Sequence, residues 1–328
     1  MNPTEARQLA ARYAPIFAQK VSREWKLADQ IAPVDFAGSY TSLADNPQAL
    51  ERLYQQDPDS LIDAKIYFGV CETSTHYYIM YAVYHVIDWW KRVRPQDLYN
   101  LIRDRLDEHI HDMEGALLVI TKEPNGLVDG IVTVAHNNFY LYTQPRKPTA
   151  VGDSRPAHTN SLRVVKFNET VDGNIWLDQA TGRVKLFIES RGHGMRGDHK
   201  NWGGGDEIWY YRPKDETGVP GTIDPGEQPN TSALEYELVD MFAPGGLWDH
   251  RFHDKVFRQN KDGKWGFVYR DKTRLRGGAA NPPWSWNDHN DTSPIGELTT
   301  DPARFIVRYA QGWGPVSGQY VYNPYQDI

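Results

Sequence analysis

Between Asp107 and Ile120 the chain reads DEHIHDMEGALLVI, six ionisable side chains in eight positions followed directly by an apolar run. Taken as a strand, residues 112–120 alternate. Asp112, Glu114, Ala116, Leu118 and Ile120 share one face, and Met113, Leu117 and Val119 the other. Beyond Glu114 both faces are apolar, the pattern of a central strand covered on both sides. Two carboxylates at the start of such a strand repel each other unless one is protonated or a positive charge lies between them. A divalent cation answers that demand. A solvated strand edge, with the histidines in the preceding loop, accounts for H-x-H-D-x-E equally well. His109, three residues before Asp112, joins a site only if the chain bends there.

The oxygen-rich donor set favours a hard ion, Mg²⁺ or Ca²⁺ first and Mn²⁺ next, while the histidines leave Zn²⁺ or iron open. Other chemistries find less support. A thiolate zinc site is impossible with one cysteine, Cys71, which lies in an apolar strand and reads as buried. The chain has no HExxH and no G-x-S-x-G elbow, and the gap from His111 to Glu114 is too short for a cupin signature.

The elements that must position these residues read mainly as strands. KIYFGVCE and HYYIMYAVYHVIDWW are β-branched and aromatic runs parted by a Ser-Thr turn, an antiparallel pair. ALLVIT, GIVTVAHNNFYLYT, SLRVVKF, RVKLFIES, DEIWYYR and WGFVYR continue the series, and FIVRYAQGW reads as a strand or core edge. Residues 1–64 read as a helical lead-in. One helix is capped at Thr4, and a second opens at Asn46-Pro47. A helical insertion is expected over 91–107, a surface loop over 213–230, and a helix at ALEYELVDMF. With no internal repeat and no clean linker, the expectation is one mainly β domain over 1–328, a single β-sandwich with the metal site at its rim.

Composition bounds the partners. Of the 328 residues 40% are hydrophobic, enough for a large core, and the net charge of −7 with no basic block argues against nucleic acid. A polar start without an apolar core argues against a signal peptide, and no apolar run is long enough to span a membrane. With a single cysteine, the expected compartment is the cytoplasm.

Two motifs resemble a known family. Ile79, Met80, Tyr81, Tyr84 and Asp88 in IMYAVYHVID, with His109, His111, Asp112 and Glu114 in HIHDME, resemble paired motifs of the necrosis- and ethylene-inducing-peptide-like proteins and of the vacuolar-protein-sorting-associated proteins grouped with them. The opening YAPIF and the later PPWSWNDHND resemble further elements of some members. The resemblance implies a β-sandwich holding a divalent ion through Asp88, His109, Asp112 and Glu114, with His136 and His193 lining the same cavity. The chain departs from the pattern in its insertion after Asp88, in Met113 where the family has Trp, and in lacking a disulfide. Toxicity does not transfer with the motifs.

The remaining candidates divide between site and scaffold. His193 sits in the glycine-rich RGHGMRGDHKNWGGG stretch, and His193, His111 and His136 are candidate proton-transfer residues. Trp284 and Trp286 suit stacking on a sugar or closing the end of a sandwich, and with Tyr81 they are the candidate ligand contacts. WDHRFHD spaces His250 and His253 with Asp254 as a second metal site or as capping residues. The reading leans toward a metal-dependent hydrolase or lyase acting on a small polar or glycan-like substrate. A lectin- or cytolysin-like protein that binds a sugar or lipid headgroup without catalysis is the alternative, and a purely structural ion the third.

Overall fold

A computed structural model of the chain describes residues 1–38, 40, 42–89, 110–122, 126–144, 171–178, 180–197, 206–214, 233–269, 272–273, 281–289, 293–309 and 315–326. Helix α1 (Pro3–Tyr13) opens with a capping box. The Asn2 side chain accepts from the Glu5 amide at 2.9 Å, and the Glu5 carboxylate accepts from the Asn2 amide at 2.8 Å. The cap is therefore Asn2 rather than Thr4, because only Asn2 has a carboxylate three residues on to answer it. Strand β1 (Ile16–Val21) follows at once, so the expected helical lead-in also delivers a strand into the sheet. Helix α2 (Asn46–Gln56) starts at Asn46-Pro47.

Strands β2 (Ala64–Thr73), β3 (His76–Ile87) and β4 (Ile110–Thr121) form an antiparallel centre, with His85 opposite Asp112 and Val83 opposite Glu114. GIVTVAHNNFYLYT is a hairpin, β5 (Val128–Ala135) and β6 (Asn138–Thr143), turning on His136 and Asn137. Both turn residues have positive φ, 52° and 64°, as a two-residue type I′ turn requires. There follow β7 (Val171–Asn174), β8 (Lys185–Ile188), β9 (Met195–Arg196), β10 (Glu207–Pro213), β11 (Ala233–Asp240), β12 (Phe257–Gln259), β13 (Trp265–Tyr269) and β14 (Lys272–Thr273). Helices α3 (Glu297–Thr300) and α4 (Pro302–Tyr309) and strand β15 (Tyr320–Tyr322) complete the order.

The mainly β expectation holds, and among the described residues the strands form a large curled sheet and a small second one rather than two facing sheets. One hydrogen-bonded sheet runs β7-β6-β5-β4-β3-β2-β11-β10-β1-β8-β9, with β15 also on β2, and β12-β13-β14 form a small second sheet. The large sheet curls until β9 lies against β4 and β5. Its inner face buries Phe17, Phe68, Ile79, Tyr81, Ala116, Leu118, Tyr211 and Tyr236 together with Ala6 and Ala10 of α1. Its outer face buries Tyr67, Met80, Tyr84, Met113, Leu117 and Val119 under Trp25, Phe267, Trp284, Trp286 and Phe305. The alternation read along residues 112–120 is thus the alternation of the two cores.

Two element assignments change. ALEYELVDMF supplies β11, parallel to both β10 and β2, rather than a helix. Pairing on both edges outweighs the helical propensity of Glu and Leu, and the spacing of buried Tyr236 and Leu238 against exposed Glu235 and Glu237 is period two. FIVRY belongs to α4, where Ala303, Phe305 and Ile306 are buried and Arg304 and Val307 exposed, a helical spacing. Among the described residues no helix is long and apolar enough to cross a membrane. The expected insertion over 91–107, the strand at SLRVVKF and nearly all of the loop over 213–230 lie outside the described residues.

Tyr81 lies on the inner face, fully buried, and its hydroxyl donates to the Ala10 carbonyl at 2.7 Å, fastening α1 across the sheet. Tyr81→Phe should leave that carbonyl without its donor and destabilise the chain by about 1–2 kcal/mol in urea unfolding. An unchanged midpoint would mean that the bond does not hold α1.

Candidate metal centre

Asp112 and Glu114 project from the start of β4 onto the inner face, both with no solvent exposure. Glu114 Oε1 accepts the His136 amide at 3.0 Å from the β5–β6 turn. Among the described residues Glu114 Oε2 and Asp112 Oδ1 have no hydrogen-bond partner. Burial holds the Glu114 carboxyl well above the usual carboxylate range, and the nearby Asp112 and Asp88 charges push it further. Asp88 is largely buried just past the end of β3. Buried unsatisfied carboxylate oxygens are costly, and three acidic groups in mutual electrostatic reach need a positive charge among them. The side chains present therefore fit a hard divalent cation. His109, the other ligand that the family resemblance implies, lies outside the described residues, as do Asp198 and His199.

One positive charge is built in. His193 is fully buried on the loop between β8 and β9, its Nδ1 2.9 Å from Asp112 Oδ2 and its Nε2 3.2 Å from Asp29 Oδ1. Burial alone would lower its pKa, yet the bonds to these two carboxylates, with their charges, carry it up to about 10. Asp29 also accepts the amides of Ser22 at 2.7 Å and Arg191 at 2.8 Å and the Trp89 indole at 2.8 Å. That one carboxylate ties the residue after Asp88 and the whole 191–193 turn to the N-terminal segment. Nothing in KLADQIAP announces it, because a buried Asp in a short 3₁₀ turn has no sequence signature.

His85, also unanticipated, faces Asp112 across the β3–β4 ladder. Its Nε2 donates to Gln19 Oε1 at 3.1 Å, and burial, reinforced by His193, holds it well below the ordinary histidine range and so neutral. Ligand atoms of His85, Asp112 and His193 lie within 4.8 Å of one another. The two rings, however, are stacked 3.7 Å apart at 6°, so their in-plane lone pairs run parallel and one ion cannot lie in both ring planes. Both His193 nitrogens are already engaged. The carboxylates are the better cation donors, with His85 and His193 as the wall beside them.

His136 forms the rim. Its side chain is 36% exposed and its Nε2 bonds Glu189 Oε2 at 2.9 Å, while Glu189 Oε1 accepts Arg196 Nε at 3.2 Å. The Glu189 bond is the main reason that the His136 pKa rises. The glycines of RGHGM have a steric purpose here. A methyl at Gly192 would stand 2.6 Å from His136 Cε1, and one at Gly194 2.8 Å from its Nε2. Backbone strain gathers at the same place, with positive φ at His111, His136, Arg191 and His193.

The other expected site residues lie elsewhere. His111 is on the outer face, packed on Tyr84 and Phe267. Asn46 donates to the Tyr84 hydroxyl at 2.9 Å, which in turn donates to His111 Nδ1 at 2.7 Å. Burial lowers the His111 pKa to about 3, so it is a neutral acceptor in the scaffold. Trp284 and Trp286 are buried on the outer face. The Trp286 indole donates to the Met113 and Asn281 carbonyls, both at 3.1 Å, and its ring leaves no room for a side chain at Gly115. It supports the carboxylate strand from behind. Tyr81 likewise belongs to the core. His250 stacks on Tyr40, and its Nδ1 donates to the Gly246 carbonyl at 2.8 Å.

No family model matches the chain, and no curated protein matches it either. Among solved structures it is similar in part to necrosis- and ethylene-inducing protein 2 from the causal agent of cocoa's witches' broom disease. That likeness has 12% identity over 60% of this chain and 68% of that one, with a TM-score of 0.28. A structure described as a toxin fold as basis for microbial attack and plant defence is similar at 14% identity over 60% and 71%, TM-score 0.31. NLPPya in complex with mannosamine is similar at 16% identity over 41% and 44%, TM-score 0.22, so this chain spans under half of its length. These neighbours are of the necrosis-inducing kind, and the resemblance to vacuolar-sorting-associated proteins has no support among them.

The His136–Glu189 pair sets a pH window. His136, with its folded pKa above the ordinary 6.5, stabilises fully below that value and loses the contribution as pH rises through the raised pKa. For Glu189 burial would raise the pKa, but the bond from His136 and the charge of Arg196 bring it below the ordinary 4.5. Its contribution is present above that value and is lost as pH falls through the lowered one. Urea unfolding across pH should therefore show the pair's contribution whole between 4.5 and 6.5, and Glu189→Gln should flatten both flanks. A variant profile parallel to the native one would remove the linkage.

Proposed function

We propose that the chain binds a divalent cation through Asp88, Asp112 and Glu114 and uses it to hold an oxygen-rich ligand, a sugar or a lipid headgroup. The observation that carries this reading is the pair of buried carboxylate oxygens, Asp112 Oδ1 and Glu114 Oε2, that no described group satisfies. Oxygen donors of this kind match Mg²⁺ or Ca²⁺, with Mn²⁺ next. His193, held by Asp29, fixes the orientation of Asp112, and the His136 amide fixes that of Glu114. The bound cation would supply Lewis-acid polarisation of a ligand oxygen.

A second reading, metal-dependent hydrolysis, is favoured by one further observation. His136 is partly exposed beside the carboxylates, its pKa is raised, and its bond to Glu189 orients it. Such a group can deliver a proton to a leaving oxygen at near-neutral pH. On this reading His136 is the general acid and Glu189 its orienting partner, while His193, locked between two carboxylates, keeps its proton.

Titration calorimetry with Mg²⁺, Ca²⁺, Mn²⁺ and Zn²⁺ in turn should find one tight class of site in the native chain. Asp112→Asn and Glu114→Gln should each weaken it more than about tenfold. Affinity should rise with pH, because the Glu114 proton must leave as the ion enters. Equal affinity in all three proteins would overturn the cation site. For the second reading, His136→Asn should abolish hydrolysis of glycoside probes with cation affinity retained. Absence of turnover in the native chain would leave binding alone.

A further inference from the structure

Among the described residues the most exposed large apolar side chain belongs to a segment that carries none of the site's carboxylates. Phe252 is 69% exposed in WDHRFHD, the segment whose histidines and Asp254 suit metal or capping roles. Its exposure is built in rather than a result of slack. Successive turns, Arg251 N to Trp248 O at 3.1 Å, His253 N to His250 O at 2.9 Å and Val256 N to His253 O at 2.8 Å, fix the backbone on both sides of it. Beneath it the Phe252 ring meets Trp265 edge-on at 5.6 Å, and Trp265 pairs with Gln259 at the end of the β12–β13 hairpin. The Arg251 guanidinium is wedged 4.4 Å from the ring centres of both Trp248 and Phe252.

Charge singles out the same place. From Asp249 to Lys264 the chain carries five basic residues, Arg251, Lys255, Arg258, Lys261 and Lys264, against three aspartates, while the whole chain is at −7. Lys255 and Lys261 are exposed, and Lys261 and Lys264 border the hairpin turn that leads into Trp265. A rigid aromatic tip with Arg251 against its ring, on a segment of net positive charge in an otherwise acidic protein, is complementary to an acidic lipid bilayer. The phenyl ring enters the headgroup–acyl boundary and the basic side chains meet anionic headgroups. A bare anion would need no exposed ring, and a neutral bilayer no cations.

We propose that Phe252, with Arg251 against its ring and Lys255, Lys261 and Lys264 in the same segment, docks the protein on the surface of an anionic lipid membrane, at a place separate from the carboxylate centre and independent of any cation there. The contact is peripheral, one ring deep and salt-sensitive.

Sedimentation of the full chain with vesicles of phosphatidylserine and phosphatidylcholine, against phosphatidylcholine alone, tests it. The native chain should sediment with the acidic vesicles only, and less as salt is raised. Phe252→Asp should bind at least about tenfold more weakly, and so should the double variant Lys261→Glu, Lys264→Glu. All these positions are at least partly exposed, so folding should persist, checked by circular dichroism. Chelator should change nothing, which separates this outcome from failure of the cation site. No sedimentation with acidic vesicles, equal sedimentation of Phe252→Asp, or loss on chelation would each overturn the proposal.

Discussion

The buried negative charge at the start of β4 is the constraint on which the rest depends. Asp112 and Glu114 sit with no exposure on a strand whose two faces are otherwise core, and Asp88 is close by. Unpaired charge in such surroundings would cost several kcal/mol per group. The chain meets that cost with a histidine locked between two carboxylates, an amide aimed at Glu114, and donor atoms left over that suit a cation. Each device recruits a distant segment: Asp29 from residues 26–29, His193 from the β8–β9 loop, His136 from the β5–β6 turn. The curl of the sheet follows, because β9 must come back against β4 and β5 to bring His193 to Asp112.

The same constraint explains where the backbone is strained. Left-handed conformations at His136, Arg191 and His193 cost energy in residues that have a Cβ, and they persist where surrounding bonds over-determine them. Here the Arg191 amide is held by Asp29 and the Trp89 amide by the Arg191 carbonyl. Gly192 and Gly194 let the strained turn pass against the His136 ring. Glycine on either side of a histidine is thus the sequence form of a loop that must touch another side chain with its backbone.

Period two in a covered strand was enough to pair Asp112 with Glu114 and to divide Met113, Leu117 and Val119 from them, because alternation is a local property. His85 and Asp29 escaped notice because their roles exist only after β3 meets β4 and the N-terminal segment crosses the sheet. His111, adjacent to Asp112 in a charged stretch, has the sequence setting of a functional residue. Positive φ and a bond from Tyr84 turn it instead into the outer core. Trp284 and Trp286 suit a ligand platform and the closing of a sandwich end equally in sequence, because aromatic pairs beside polar residues have the same composition whether they face a sugar or the back of a strand. Propensity misjudged β11 for a related reason. Its Leu-Glu-Tyr-Glu-Leu alternation is local, but one of the two parallel neighbours that hold it as a strand, β2, comes from a remote part of the chain.

Trp286 shows how far the site reaches into the fold. Its indole donates to the carbonyl of Met113, the residue between the two carboxylates, from the opposite face of the sheet, and its ring fills the space above Gly115. The strand that carries the acidic pair is therefore gripped on both faces, by hydrogen bonds to its carboxylates within and by an aromatic wedge without. A strand free to shift by a fraction of its rise would let the carboxylates turn away from each other and relieve their repulsion. Gripped from behind, they must keep facing the same point. The outer core thereby contributes the rigidity that the proposed cation site would require.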